Sequence, residues 1–188
     1  MDIDQIADHL EADTNHEIKA VLAVHVDTST SVVNDIAGLR AALDLIHGEG
    51  LEQVWARHAR LARAVWAACE AWGQIDAPEQ GLRMNVTDPA LRSHAVTALQ
   101  LPPPRASELR AWLEQNLGLT LGIGLGLAPA GSPAWHGYFR LGHMGHVNGQ
   151  MIMGLLGGIE TGMQALEIPH GAGGLSAAAQ ALAAGAQG

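Results

Sequence analysis

Apolar positions along this chain change their period several times, and each change marks an element. Residues 2 to 13 place Ile3, Ile6, Ala7 and Leu10 at helical spacing. The run KAVLAVHV, 19 to 26, is short, apolar and rich in β-branched residues, which predicts a buried strand. The turn and cap residues of DTSTS follow it. Asn34 or Asp35 then caps a helix whose apolar face is Ile36, Leu39, Leu43 and Ile46, closed by HGEG. This helix, 35 to 47, is expected to be continuous. A longer helix is predicted from Leu51 to Trp72, with Val54, Trp55, His58, Leu61, Ala62, Val65 and Cys69 as its buried stripe and Gly73 as a left-handed cap.

Beyond it, residues 74 to 92 are polar and irregular. SHAVTALQL, 93 to 101, reads as a strand stopped by the three prolines 102 to 104. Ser107 to Leu117 reads as a helix, LTLGIGLGLAPAGSP as a glycine-rich connection, and HGYFRLGHMG as a short strand running into a turn. Residues 148 to 168 form a helix despite several glycines, and the Gly/Ala-rich end from Gly171 reads as a tail that frays. The order after residue 50 is helix, strand, helix, strand, helix. That predicts a small α/β layer of a few strands covered by helices. The first 48 residues hold too little to make a sheet alone and look like part of something larger. The expected divisions are therefore 1–48, 49–170 and a tail at 171–188.

Composition narrows the function classes. Of 188 residues 48% are hydrophobic, enough for a sizeable core, and no apolar run approaches the ~20 residues of a membrane helix. The acidic, polar start is unlike a secretory signal, so the cytoplasm is the expected compartment. Nineteen acids against ten bases give a net charge of −9, which disfavours a nucleic-acid partner. The single cysteine, Cys69, excludes an internal disulfide and reads as a small buried hydrophobe. Lys19 is the only lysine.

Several short patterns carry possible chemistry. HVDTSTS presents hydroxyls and backbone N–H groups just after a strand, which suits a phosphate, although the same residues are ordinary in turns. GIGLG, 122 to 126, lacks the third glycine and the following helix of a dinucleotide fingerprint, so it reads as a flexible or tight turn. Arg140, at the end of its strand in FRLGHMG, is suited either to clamping a carboxylate with its planar fork or to a surface ion pair, and spacing leaves both open. His143 and His146 form HxxH without a third ligand or an adjacent glutamate, so no metal site is expected.

Taken together, IKAVLAVHVDTSTSVVNDIAGLRAALD, EGLEQVWARHARLARAVWAACEAWG, DPALRSHAVTALQLP, LGLTLGIGLG, FRLGHMG and IPHGAGG are collinear, and the chain resembles the class V, fold-type I pyridoxal-phosphate aminotransferases. The resemblance is to their serine–glyoxylate and alanine–glyoxylate (serine–pyruvate) branch. It implies the family's small C-terminal domain, with a strand and helix left from the large, cofactor-binding domain. It implies pyridoxal 5'-phosphate as cofactor, a small amino acid and a 2-oxo acid as substrates, and a homo-oligomer. Thr28 is similar to the turn hydroxyl that contacts the cofactor, and Arg140 to the arginine that holds the substrate carboxylate. The turn departs from the family pattern at Val26, Asp27 and Ser31.

A larger departure is the direct joining of GLRAALD to LIHGEGLEQVWARH. The family's intervening segment, with its Schiff-base lysine and the aspartate on the pyridine nitrogen, has no counterpart here, and neither has the part of the large domain expected before Met1. Lys19 matches the far end of the strand from the turn, and about six residues at ~3.3 Å each put it roughly 20 Å away. The expectation is an aminotransferase-family chain that does not transaminate alone, with no catalytic residue assigned. The alternatives are a non-catalytic remnant, a small-carboxylate-binding module, or the product of a degraded or misassembled gene.

Overall fold

The computed structural model describes Val26–Asp27, Val32–Val33, Asp44 and residues 47–185. By its internal contacts the chain divides into two compact units, Met1–Leu51 and Glu52–Gly188.

In the first unit, β1 (Val26–Asp27) pairs antiparallel with β2 (Val32–Val33), Val26 opposite Val33 and Asp27 opposite Val32. The polar turn therefore lies between two strands, where the pattern predicted a strand leading directly to a helix. The two β-branched residues after the turn account for the second strand. Asp44 and His47–Glu49 are helical, and Gly50 takes a left-handed φ of 88°. The predicted helix over 2–13, most of the strand over 19–26, most of the helix over 35–47, Lys19 and Thr28 lie outside the described residues.

The second unit is an antiparallel sheet with helices packed on it. Its elements are α1 (Leu51–Trp72), β3 (Arg83–Met84), β4 (Val96–Gln100), α2 (Arg105–Leu117), β5 (Gly122–Ile123), β6 (Tyr138–Gly142), α3 (Gly149–Ala165) and α4 (Gly174–Ala184). The strand order is β3-β4-β6-β5. In the central pair Val96 faces Gly142, Ala98 faces Arg140 and Gln100 faces Tyr138. Alternation along these two strands sends Thr97, Leu99, Phe139 and Leu141 into the core. There Leu99, Phe139 and Leu141 join Leu61, Val65 and Trp72 of α1, Leu109 and Leu113 of α2, and Ile152, Leu156 and Ile159 of α3 in one cluster. Val96, Ala98, Gln100, Tyr138, Arg140 and Gly142 lie on the opposite face and are at least partly exposed. No described helix is long and apolar enough to cross a membrane.

Local chemistry sets the element ends. Asn148 caps α3, its side chain accepting from Met151 N at 2.9 Å. Gly118, φ 63°, closes α2 in the left-handed region that favours glycine. Gly73 follows α1 for another reason: its φ is not left-handed, but a Cβ there would come 2.9 Å from Leu82 O. Glycines in α3 serve packing. A Cβ on Gly158 would meet Leu119 at 2.8 Å, and one on Gly162 would meet Leu109 at 2.8 Å.

Other expectations are corrected. Trp55, placed in the buried stripe, is 63% exposed, while Trp66 and Trp72 are buried. α2 starts at Arg105, two residues earlier than read, directly after the prolines. The end read as a tail carries α4, whose Gly174 and Ala178 are buried. Gly174 sits against the Trp72 indole, and Gly171 N donates to Trp72 O at 2.8 Å. The small residues there permit close contact.

Cys69 is buried in α1. Burial pushes its thiol up to about 12, Glu70 adds to the rise and Arg92 opposes it. The native protein should therefore resist iodoacetamide at mildly alkaline pH and react only on unfolding. Stoichiometric labelling of the folded chain would contradict this placement.

Candidate carboxylate site on the open sheet face

Arg140 occupies the middle of β6, not its end, with Ala98 on one side and Gly122 on the other. Its side chain is half-buried, and Nε–H donates to Ile123 O at 2.7 Å. Among the described residues its two terminal nitrogens have no hydrogen-bond or ion-pair partner. No ion pair to Arg140 is formed among the described residues. A guanidinium held at Nε, with its outer N–H groups available, can receive a carboxylate through two parallel charge-assisted hydrogen bonds.

Two further features of this face bear on the site. Arg83 on β3 faces Gln100, whose Nε2 donates to Asn85 Oδ1 at 2.7 Å. Strand spacing puts the Arg83 and Arg140 backbones about 12 Å apart on the same face. A predominantly acidic chain therefore carries two cations on its open sheet surface, and only pairing register reveals it. The second feature is the pair Gly122 and Gly124: GIGLG, expected to be a flexible or tight turn, instead carries β5 at Gly122–Ile123. Its signal was legible as glycine at alternate positions, the period of one strand face.

Other arginines are committed within the protein. Arg92 ion-pairs with Glu70, donates from Nε to Val86 O and from Nη2 to Thr87 O, both at 3.1 Å, and lies 5.5 Å over the Trp66 ring. Arg57 Nη1 donates to Gly145 O at 2.8 Å and Val147 O at 3.2 Å, pinning the turn after β6.

His143, one half of HxxH, has a structural part. Its Nδ1 lies 2.9 Å from His94 O, a group that only accepts, so Nδ1 carries the proton. Nε2 then accepts from Thr97 Oγ1 at 2.9 Å, and that hydroxyl accepts from Trp66 Nε1 at 3.0 Å. The buried chain Trp66–Thr97–His143, ending on the carbonyl of exposed His94, ties α1 to β4 and to the end of β6. Burial holds His143 below the ordinary histidine range; His58 and His94 push the same way, against the His94 carbonyl. Among the described residues no group of three His, Cys, Asp or Glu could hold a metal.

Pyridoxal phosphate is carried by aminotransferases as a Schiff base, which needs a lysine amine. Residues 47–185 contain no lysine, so this unit does not fit the cofactor as a covalent guest. Thr28 lies outside the described residues.

No family model matches the chain. Individual relatives do. The serine–glyoxylate aminotransferase of Arabidopsis thaliana is 42% identical over 134 residues, 70% of this chain and 29% of the relative. The L-aspartate–glyoxylate aminotransferase of Paracoccus denitrificans is 34% identical over 152 residues, 80% of this chain and 35% of the relative. Among solved structures, the pyridoxamine–pyruvate aminotransferase of Mesorhizobium loti superposes with a TM-score of 0.64 at 28% identity, over 79% of this chain and 35% of that one. The ureidoglycine–glyoxylate aminotransferase of Bacillus subtilis gives 0.64 over 95% and 46% at 21% identity, a likeness of fold alone. Fold and relatives define the class as fold-type I, pyridoxal-phosphate aminotransferases. Within that class the chain belongs to class V, alongside the serine–glyoxylate and alanine–glyoxylate enzymes. It spans less than half the length of each relative named here.

Proposed function

We propose that this chain is the substrate-carboxylate half of a serine- or alanine-to-glyoxylate aminotransferase: it binds small 2-oxo and amino acids through Arg140 but does not transfer an amino group alone. The observation that carries this is Arg140 at the centre of the open sheet face, fixed at Nε and with its terminal nitrogens unpartnered among the described residues. In this reading residues 1–48 are a piece of the cofactor domain, and Thr28 contacts the cofactor once a lysine-bearing segment or subunit is supplied. Residues 49–170 are the small domain. The module works in the cytoplasm and self-associates as the family's subunits do.

Calorimetric titration with glyoxylate and pyruvate tests it. Arg140→Ala should weaken binding at least about tenfold, the expected loss of a charge-assisted hydrogen bond pair on a half-exposed surface. With pyridoxal phosphate, serine and glyoxylate supplied, the purified chain should turn over no faster than free cofactor. Equal binding by the Arg140 variant, or enzymatic turnover by the chain alone, would overturn the respective half of the proposal.

A further inference from the structure

Gly122 stands directly opposite Arg140, and Gly124 lies two residues on along the same face. Ordinary cross-strand partners keep their Cβ atoms about 4.5–5.5 Å apart. A Cβ on Gly122 would lie 3.3 Å from Arg140 Cβ, 3.3 Å from Arg140 O and 3.6 Å from Arg140 Nε. One on Gly124 would lie 2.2 Å from Tyr138 Cβ. The two glycines let the edge strand press against β6 more closely than side chains allow. That closeness puts Ile123 O within 2.7 Å of Arg140 Nε.

The consequence concerns how the guanidinium meets an anion. A guanidinium offers a carboxylate two bidentate edges, a side edge of Nε with one Nη and an end edge of Nη1 with Nη2. Here the Nε hydrogen is spent on Ile123 O, which leaves the end edge intact. We infer that Gly122 is a positioning residue for Arg140: by admitting the Ile123 carbonyl it fixes the guanidinium so that carboxylates are read end-on, through Nη1 and Nη2. This rests on the assignment of Arg140 as the carboxylate binder.

The test combines binding with the arginine Nε–H signals in proton–nitrogen NMR. Arg92 and Arg110 also donate from Nε to backbone carbonyls, each at 3.1 Å, so they serve as internal controls. The Arg140 signal is assigned by its loss in R140K. In G122A the added methyl meets Arg140 Cβ and O at 3.3 Å, so β5 and Arg140 must part by a few tenths of an ångström, which lengthens the Ile123 O contact. Solvent exchange of the Arg140 Nε–H should then quicken and glyoxylate affinity fall about threefold or more, the size of one weakened hydrogen bond, with the control signals unmoved. R140K, which keeps the charge without a fork, should bind about tenfold more weakly.

If G122A binds glyoxylate as the wild type does, or loses affinity with its Nε–H still protected, the positioning role is wrong while Arg140 as binder stands. Should G122A fail to fold, R140K decides: binding equal to wild type overturns the role. A wild type that binds no carboxylate removes the proposed function and this inference with it.

Discussion

Gly174→Ala should destabilise the C-terminal unit by about 3 kcal/mol, at the upper end of what overpacking a core produces. The added Cβ would lie 2.1 Å from Trp72 Nε1, 2.4 Å from Cε2 and 2.6 Å from Cδ1. These atoms belong to a rigid indole with no solvent exposure, so the ring cannot swing aside as a flexible side-chain end would. The same ring donates from Nε1 to Glu160 Oε2 at 3.3 Å, so displacing it also strains a link between α1 and α3. Urea denaturation followed by tryptophan fluorescence would measure the change. Gly157→Ala is the control: nothing lies within 4 Å of its Cβ position in mid-α3, so alanine's helix propensity should stabilise by about 0.5–1 kcal/mol. If Gly174→Ala is neutral, α4 does not pack on Trp72 as described.

The second large effect is expected at Thr97→Val. Valine matches threonine in shape but removes the hydroxyl that accepts from Trp66 and donates to His143. Two buried polar atoms lose their partners at once, at a cost of about 1–3 kcal/mol each, so about 3 kcal/mol in total is expected. His143 also makes stability depend on pH. Its folded value lies below the ordinary 6.5, so on acidification the unfolded chain takes up the proton first. Its contribution is complete above pH 6.5 and is lost as pH falls through the lower folded value. Protonation would force both ring nitrogens to donate and leave the Thr97 hydroxyl hydrogen without an acceptor. Chemical denaturation across this range should show the decline in the wild type and a reduced slope in His143→Leu. An unchanged slope would remove His143 as its source.

How much of this was legible beforehand depended on what each residue's signal measures. The helix at about Leu51 to Trp72 is legible because a 22-residue helix averages over many positions, yet periodicity alone puts Trp55 inside and it is exposed. β5 left no pattern because it is only two residues long and one of them is glycine; pairing with β6 makes it a strand. α4 was read as a tail because Gly and Ala there suggest freedom, whereas Gly174 is small so that Trp72 can touch it. Arg140 could be singled out by residue type and family resemblance. Its anchoring by Ile123 O could not, because the bond joins residues 17 positions apart through a register set by glycines.

The sheet also has a consequence for how this molecule meets others. Its two rims, β3 and β5, are two residues each, while the inner strands have five. A foreign strand therefore finds almost no ladder to extend, and cross-β growth from this unit has little purchase at either rim. Contacts made by this unit's sheet are therefore favoured broadside, across its open face, rather than edgewise by strand addition.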